Sequence, residues 1–185
     1  MEIEVSAEAK NKSLNARVAV TVVFLSVFMG VCGIKDGNIV QGMQAAQAQS
    51  IDLWNEYQAT KTKQHIAEAT RDELGALAPD PKAAAPLLAR YDADIAKYKA
   101  EEPGLAKRAQ AASDQYDALN VHDDQFDASD AAISTAISIA AVAALAESSW
   151  LLVAAWAFGA FGVFMGLCGF LGWGFHPAVL SGLLG

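Results

Sequence analysis

The chain has 185 residues, 54% of them hydrophobic, and a formal charge of -8. Thirteen Lys and Arg against 21 Asp and Glu leave no basic face to neutralise phosphates, which excludes nucleic acid as a partner. Cys32 and Cys168 both fall inside apolar runs, so neither a disulfide framework nor a thiolate zinc cluster in a watery domain is expected.

Residues 1–17 are polar, with Glu2, Glu4 and Glu8 balanced by Lys10, Lys12 and Arg17. Residues 18–34 then carry no charge and read as a first membrane helix. No small-x-small cleavage site precedes Lys35-Asp36, and Val31 lacks the small side chain that a lipoprotein signal needs before Cys32. An uncleaved anchor is therefore expected. Lys10, Lys12 and Arg17 place the N-terminus in the cytoplasm by the positive-inside tendency, and residues 35–127 outside it.

Residues 35–130 read as helix almost throughout: rich in Ala, Gln, Glu and Lys, and without hairpin turn signals. Leu88, Tyr91, Ile95, Tyr98, Glu102, Leu105, Ala109, Ala112, Tyr116, Leu119, Asp123 and Phe126 alternate at spacings of three and four, all apolar except Glu102 and Asp123. The same alternation upstream picks out Ile39, Met43, Ala46, Ser50, Leu53, Tyr57, Thr60, Gln64, Ala67, Arg71 and Leu74. Two such seams predict an antiparallel coiled-coil hairpin. Its tip falls near 78–82, where Pro79 ends one helix and Asp80 with Pro81 forms an N-cap and first-turn pair for the next. Each arm of about 40 residues would reach roughly 60 Å. Pro103-Gly104 predicts a kink or a local restart in the second arm.

Residues 131–146 and 150–173 are two further apolar runs, cut apart by Glu147-Ser148-Ser149, and 174–185 form a tail. They complete an all-α membrane protein of three transmembrane helices, with the long hairpin between helices one and two. Val27-Phe28-Met29-Gly30-Val31-Cys32-Gly33 recurs as Val163-Phe164-Met165-Gly166-Leu167-Cys168-Gly169, identical at six of seven positions. With three spans these copies lie on helices that run the same way, at similar depth. Gly30, Gly33, Gly159, Gly162, Gly166 and Gly169 remove side chains where backbones must approach closely in lipid, and Ala132, Ala136, Ala140 and Ala144 do the same in span two. All three helices are built for contact with other helices, within the chain or in another copy.

Among polar residues, Asp123, Asp127 and Asp130 share a helical face just before span two and are the candidates for a hard cation. The helix dipole and the membrane boundary account for them without a ligand. His65 and His176 have no partners at ligand spacing. Trp54, one residue off the seam, is the candidate for contact with another subunit, and Trp150, Trp156 and Trp173 fit an interfacial belt. No phosphate loop, nucleophile elbow or His-Glu-x-x-His is present. No enzyme activity and no cofactor are expected.

The N-terminal span, Trp54-Asn55-Glu56-Tyr57-Gln58-Ala59 with Lys63 beyond it, His122, Phe126 and the two closing spans together resemble DUF4337, a bacterial membrane family of unknown function. The resemblance implies membrane topology and no activity, and the expected location is the bacterial inner membrane, as a multi-pass protein. The expected role is structural: close-packed spans that self-associate in the bilayer and project a periplasmic hairpin toward other copies or another envelope protein. A homo-oligomeric channel, or an accessory subunit of a transport complex, is the alternative.

Overall fold

The computed structural model describes residues 12–175. Most of the polar segment expected at 1–17, and the tail beyond Phe175 with His176, lie outside the described residues. The described chain is all helix, with α1 at Lys12–Leu77, α2 at Pro81–Leu145 and α3 at Ser149–Leu171. All three are long and apolar enough to cross a membrane. Neither α1 nor α2 stops where hydrophobicity changes. α2 also passes through Pro86 and Pro103 without a restart, and Pro103 lies on the exposed side of the helix.

The chain divides into two compact units, one of residues 1–41 and 119–185, the other of 42–118. In the first, parts of all three helices form a bundle that packs in layers. Leu14 and Val18 meet Ala140, Ala143, Leu152 and Ala155. Leu25 meets Ile133 and Ala136. Glycine permits this on α3. A methyl at Gly162 would stand 2.7 Å from Ile133 Cγ1 and 3.0 Å from the Ser129 carbonyl oxygen, and one at Gly159 would stand 3.1 Å from Leu25. At Gly166 it would meet Phe28 at 2.7 Å and Cys32 Sγ at 2.9 Å, and at Gly169 it would meet Phe126 at 2.7 Å. Gly30 and Gly33 differ: nothing lies within 4 Å of either.

Helices two and three are joined through a Schellman turn. Glu147 takes the left-handed conformation, φ 50°, while Ser148 N–H donates to Ala143 O at 3.0 Å and Glu147 N–H to Ala144 O at 3.4 Å. Glycine usually fills this position because it has no Cβ to strain. Gly172 does so after α3, φ 67°, with Trp173 N–H donating to Cys168 O at 3.0 Å.

In the second unit the two helical arms face one another. Leu53 packs on Leu105, Ala109 and Ala112, with Trp54 and Tyr57 alongside. Of the heptad positions in these arms, all but Arg71 are buried or half-buried. Arg71 reaches out instead to Asp92 Oδ1 at 3.0 Å. Lys61 pairs with Glu102 at 3.3 Å and Lys99 with Glu68 at 2.9 Å, so three ion pairs link the arms. The Gln64 amide and Lys99 hold the Glu68 carboxyl down at about 2. At the tip, Lys82 N–H donates to Asp80 Oδ1 at 2.9 Å, a side-chain N-cap immediately before Pro81. Leu119 and Phe126 continue the arm's heptad in sequence but belong to the first unit. There Phe126 is fully buried, because Gly169 leaves room for its ring and Phe170 meets it edge-on at 5.3 Å.

Gly162→Ala forces a methyl against a β-branched side chain and a backbone oxygen. It should cost about 1–3 kcal/mol, the usual range for overpacking, seen as a lower melting temperature in detergent. Gly30→Ala, in open space, should leave that temperature unchanged; equal losses for the two variants would contradict the packing described.

Candidate functional site

The polar groups of the bundle unit gather where α1 brings Asp36 beside the α2 segment 122–130. The Asp123 carboxyl lies near that of Asp36, across the two helices. Burial raises Asp123 to about 6, helped by the negative charges of Asp36, Asp127 and Asp124. Asp127 is raised for the same reasons, burial first and then Asp36, Asp124 and Asp130. Burial and the like charges nearby both favour the neutral form of Asp123.

Two residues beyond Asp123, Gln125 is wholly buried. Its Nε2 donates to the carbonyl oxygens of Trp173 at 2.8 Å and Phe175 at 2.6 Å. Its Oε1 faces His122 Nδ1 at 3.0 Å, a contact in which His122 donates, since an amide oxygen can only accept. A single side chain thus ties the backbone that leaves α3 to α2.

The three aspartates named as candidates for a hard cation do not come together in the fold. Among the described residues, no group of three or more His, Cys, Asp or Glu could hold a metal ion. Asp123 turns to Asp36, whereas Asp127 and Asp130 are exposed. Helical spacing had grouped the three aspartates along α2, but it is the neighbouring helix that selects which of them is half-buried. Sequence reasoning did not single out Asp36 or Gln125. Antiparallel register from the tip at Pro79 carries Asp36 and Cys32 toward 122–126, and that was the available signal for Asp36. For Gln125 the spacing of three to His122 was readable, but its two backbone partners beyond α3 were not.

Trp54 is half-buried and packs edge-on to Tyr57, with ring centroids 5.6 Å apart, so part of its indole is used inside the arm pair. Trp150 and Trp173 are exposed. Trp156 is committed within the bundle unit: its Nε1 donates to Thr21 Oγ1 at 2.9 Å. That pair edges an apolar recess of about 370 Å³ between α1 and α3, lined also by Phe24, Leu25, Gly159 and Val163.

The raised carboxyl sets a sign for pH. The folded state holds a proton on Asp123 that an unfolded chain releases near 3.8, so this residue's contribution to stability is largest in acid. That contribution falls as pH rises through about 6. Asp123→Asn keeps the side chain's size without the charge. It should raise the melting temperature above wild type at pH 8, and the difference should shrink toward pH 4–5. A variant melting below wild type at pH 8 would contradict the raised carboxyl.

Comparison with known proteins gives one family match. The family's sequence profile, described as a domain of unknown function, covers residues 14–172. No curated protein and no solved structure matches the chain. The profile takes in the bundle, the arms and the acidic segment together, and on that match the chain belongs to the DUF4337 family.

Proposed function

We propose that the chain is an integral membrane protein, non-enzymatic, whose three apolar helices span the bacterial inner membrane and self-associate there. Residues 42–118 act as an antiparallel coiled-coil hairpin on the periplasmic side, presented to other copies or to another envelope protein. The observation that carries this reading is the sorting of side chains by size in the bundle unit. Its helix contacts are lined by Ala and Gly, with Ala136, Ala140, Ala143, Ala155, Gly159, Gly162 and Gly166 buried, and the larger Leu25, Ile133 and Met165 fill the space these leave. Its outside is large and apolar, with Val20 at 71%, Phe24 at 60%, Ile34 at 73% and Val153 at 60% exposure. Water would penalise that surface at about 25 cal/mol per Å². Lipid does not, and small residues inside are how helices pack closely in lipid.

The channel reading draws support from one face of α2, where Ser134, Thr135 and Ser138 are exposed within an apolar helix. Thr135 and Ser138, however, donate to the carbonyls of Ala131 and Ser134 at 2.8 Å each. Hydroxyls satisfied in this way need no water-filled lumen, which favours the scaffold.

Two measurements test the proposal. Protease added to cells with a permeabilised outer envelope should cleave near Pro79–Lys82; protection of that loop, with cleavage from the cytoplasmic side, would reverse the orientation. Imaging of the detergent-purified particle should find several copies around a closed apolar centre, whereas an opening lined by Ser134 and Ser138 would favour the channel.

A further inference from the structure

The duplicated segment packs against itself within one chain, and only in one direction. Its α3 copy supplies the seat: Gly166 leaves space that Phe28 and Cys32 of the α1 copy occupy, so closely that a methyl there would meet Phe28 at 2.7 Å. Its α1 copy supplies the knob. Gly30 is the counterpart of Gly166, and Phe164 is the counterpart of Phe28. This leaves the reverse pair unmade within the chain. Gly30 and Gly33 have nothing within 4 Å, and Phe164, whose ring meets Phe175 edge-on at 5.7 Å, is still 42% exposed.

The molecule itself displays the side chain that fits a glycine in this heptapeptide: the phenylalanine of the same heptapeptide on a neighbouring helix. We infer that Phe164 of a second copy seats on Gly30 and Gly33 of the first, repeating between chains the contact that Phe28 makes with Gly166 within one. The inference rests on the self-association proposed above and names its surface. Both partners lie in apolar helices, so the pairing opposes no charges. Its extent is limited, because Val23 stands where α3 has Gly159 and the seat for Leu25 is not reproduced.

Knob and seat are different surfaces of one chain, so the contact is heterologous. It propagates from copy to copy and closes as a ring of three or more, not as a two-fold dimer.

Single variants and their mixture test this in the full chain, read by native mass spectrometry from mild detergent and by crosslinking in membranes. Gly30→Leu fills the seat in open space, and Phe164→Ala removes the knob. Each alone should lower the oligomeric fraction at least tenfold, with helical content and melting unchanged. Co-expressed, each variant retains the half that the other lacks, so the pair should recover dimers and nothing larger. If Gly30→Leu assembles like wild type, lipid covers the seat and the inference falls, while self-association stands. A wild-type chain that is monomeric in membranes removes self-association, and the inference with it.

Discussion

Close approach of backbones at the glycine-lined face of α3 is the constraint on which the bundle depends. In the hydrocarbon setting proposed for this bundle there is no hydrophobic drive to bring helices together, so contact comes from dispersion and fit over short distances. Gly159, Gly162, Gly166 and Gly169 lie three or four residues apart, and each receives a side chain from α1 or α2: Leu25, Ile133, Phe28 and Phe126. The large side chains enter where α3 has none. That leaves α3's own Phe158, Phe161 and Phe164 turned outward, and the surface inherits the bulk that the interior refuses.

Polar groups follow from the same economy of space. Within the apolar part of the bundle, Trp156 and Thr21 satisfy each other, and hydroxyls on α2 turn back to their own helix. The buried Gln125 amide finds two free carbonyls beyond α3, partners without which its burial would be costly. Where Asp36 and Asp123 face each other across α1 and α2, burial and like charge instead hold the Asp123 carboxyl toward its neutral form. In the arm unit, where water is available, the solution is different: Lys61, Lys99 and Arg71 reach across to acids on the opposite arm.

Much of this could be read from residue order because helices impose a strict period. The spacing of three and four found the buried faces of both arms, from Met43 to Leu74 and from Leu88 to Tyr116, and the all-helical class followed from the same pattern. Three things lay beyond it. The boundary between units falls inside α1 and α2, so Phe126 keeps the arm's rhythm while packing on Gly169; periodicity identifies a buried face but not its partner. Pro103 sits in a seam-bearing helix without ending it, since it lies on the exposed side, where losing one backbone donor is tolerable. The acidic site was grouped by neighbours on one helix, and only the register between α1 and α2 pairs Asp123 with Asp36. Glycine gave half the answer as well: composition marks Gly30 and Gly166 alike, and only packing distinguishes a filled seat from an open one.

The central claim is that the apolar stretch of α1 lies in lipid while the arm beyond it lies in water. Spin labels placed singly from Val20 to Ala48 in liposome-reconstituted protein measure this directly, through collision with oxygen, which concentrates in hydrocarbon, and with a water-soluble nickel chelate. Oxygen should dominate at Val20, Phe24 and Val27, and the chelate should take over beyond Gly37. Ready access of the chelate to Phe24 and Val27 would contradict the account.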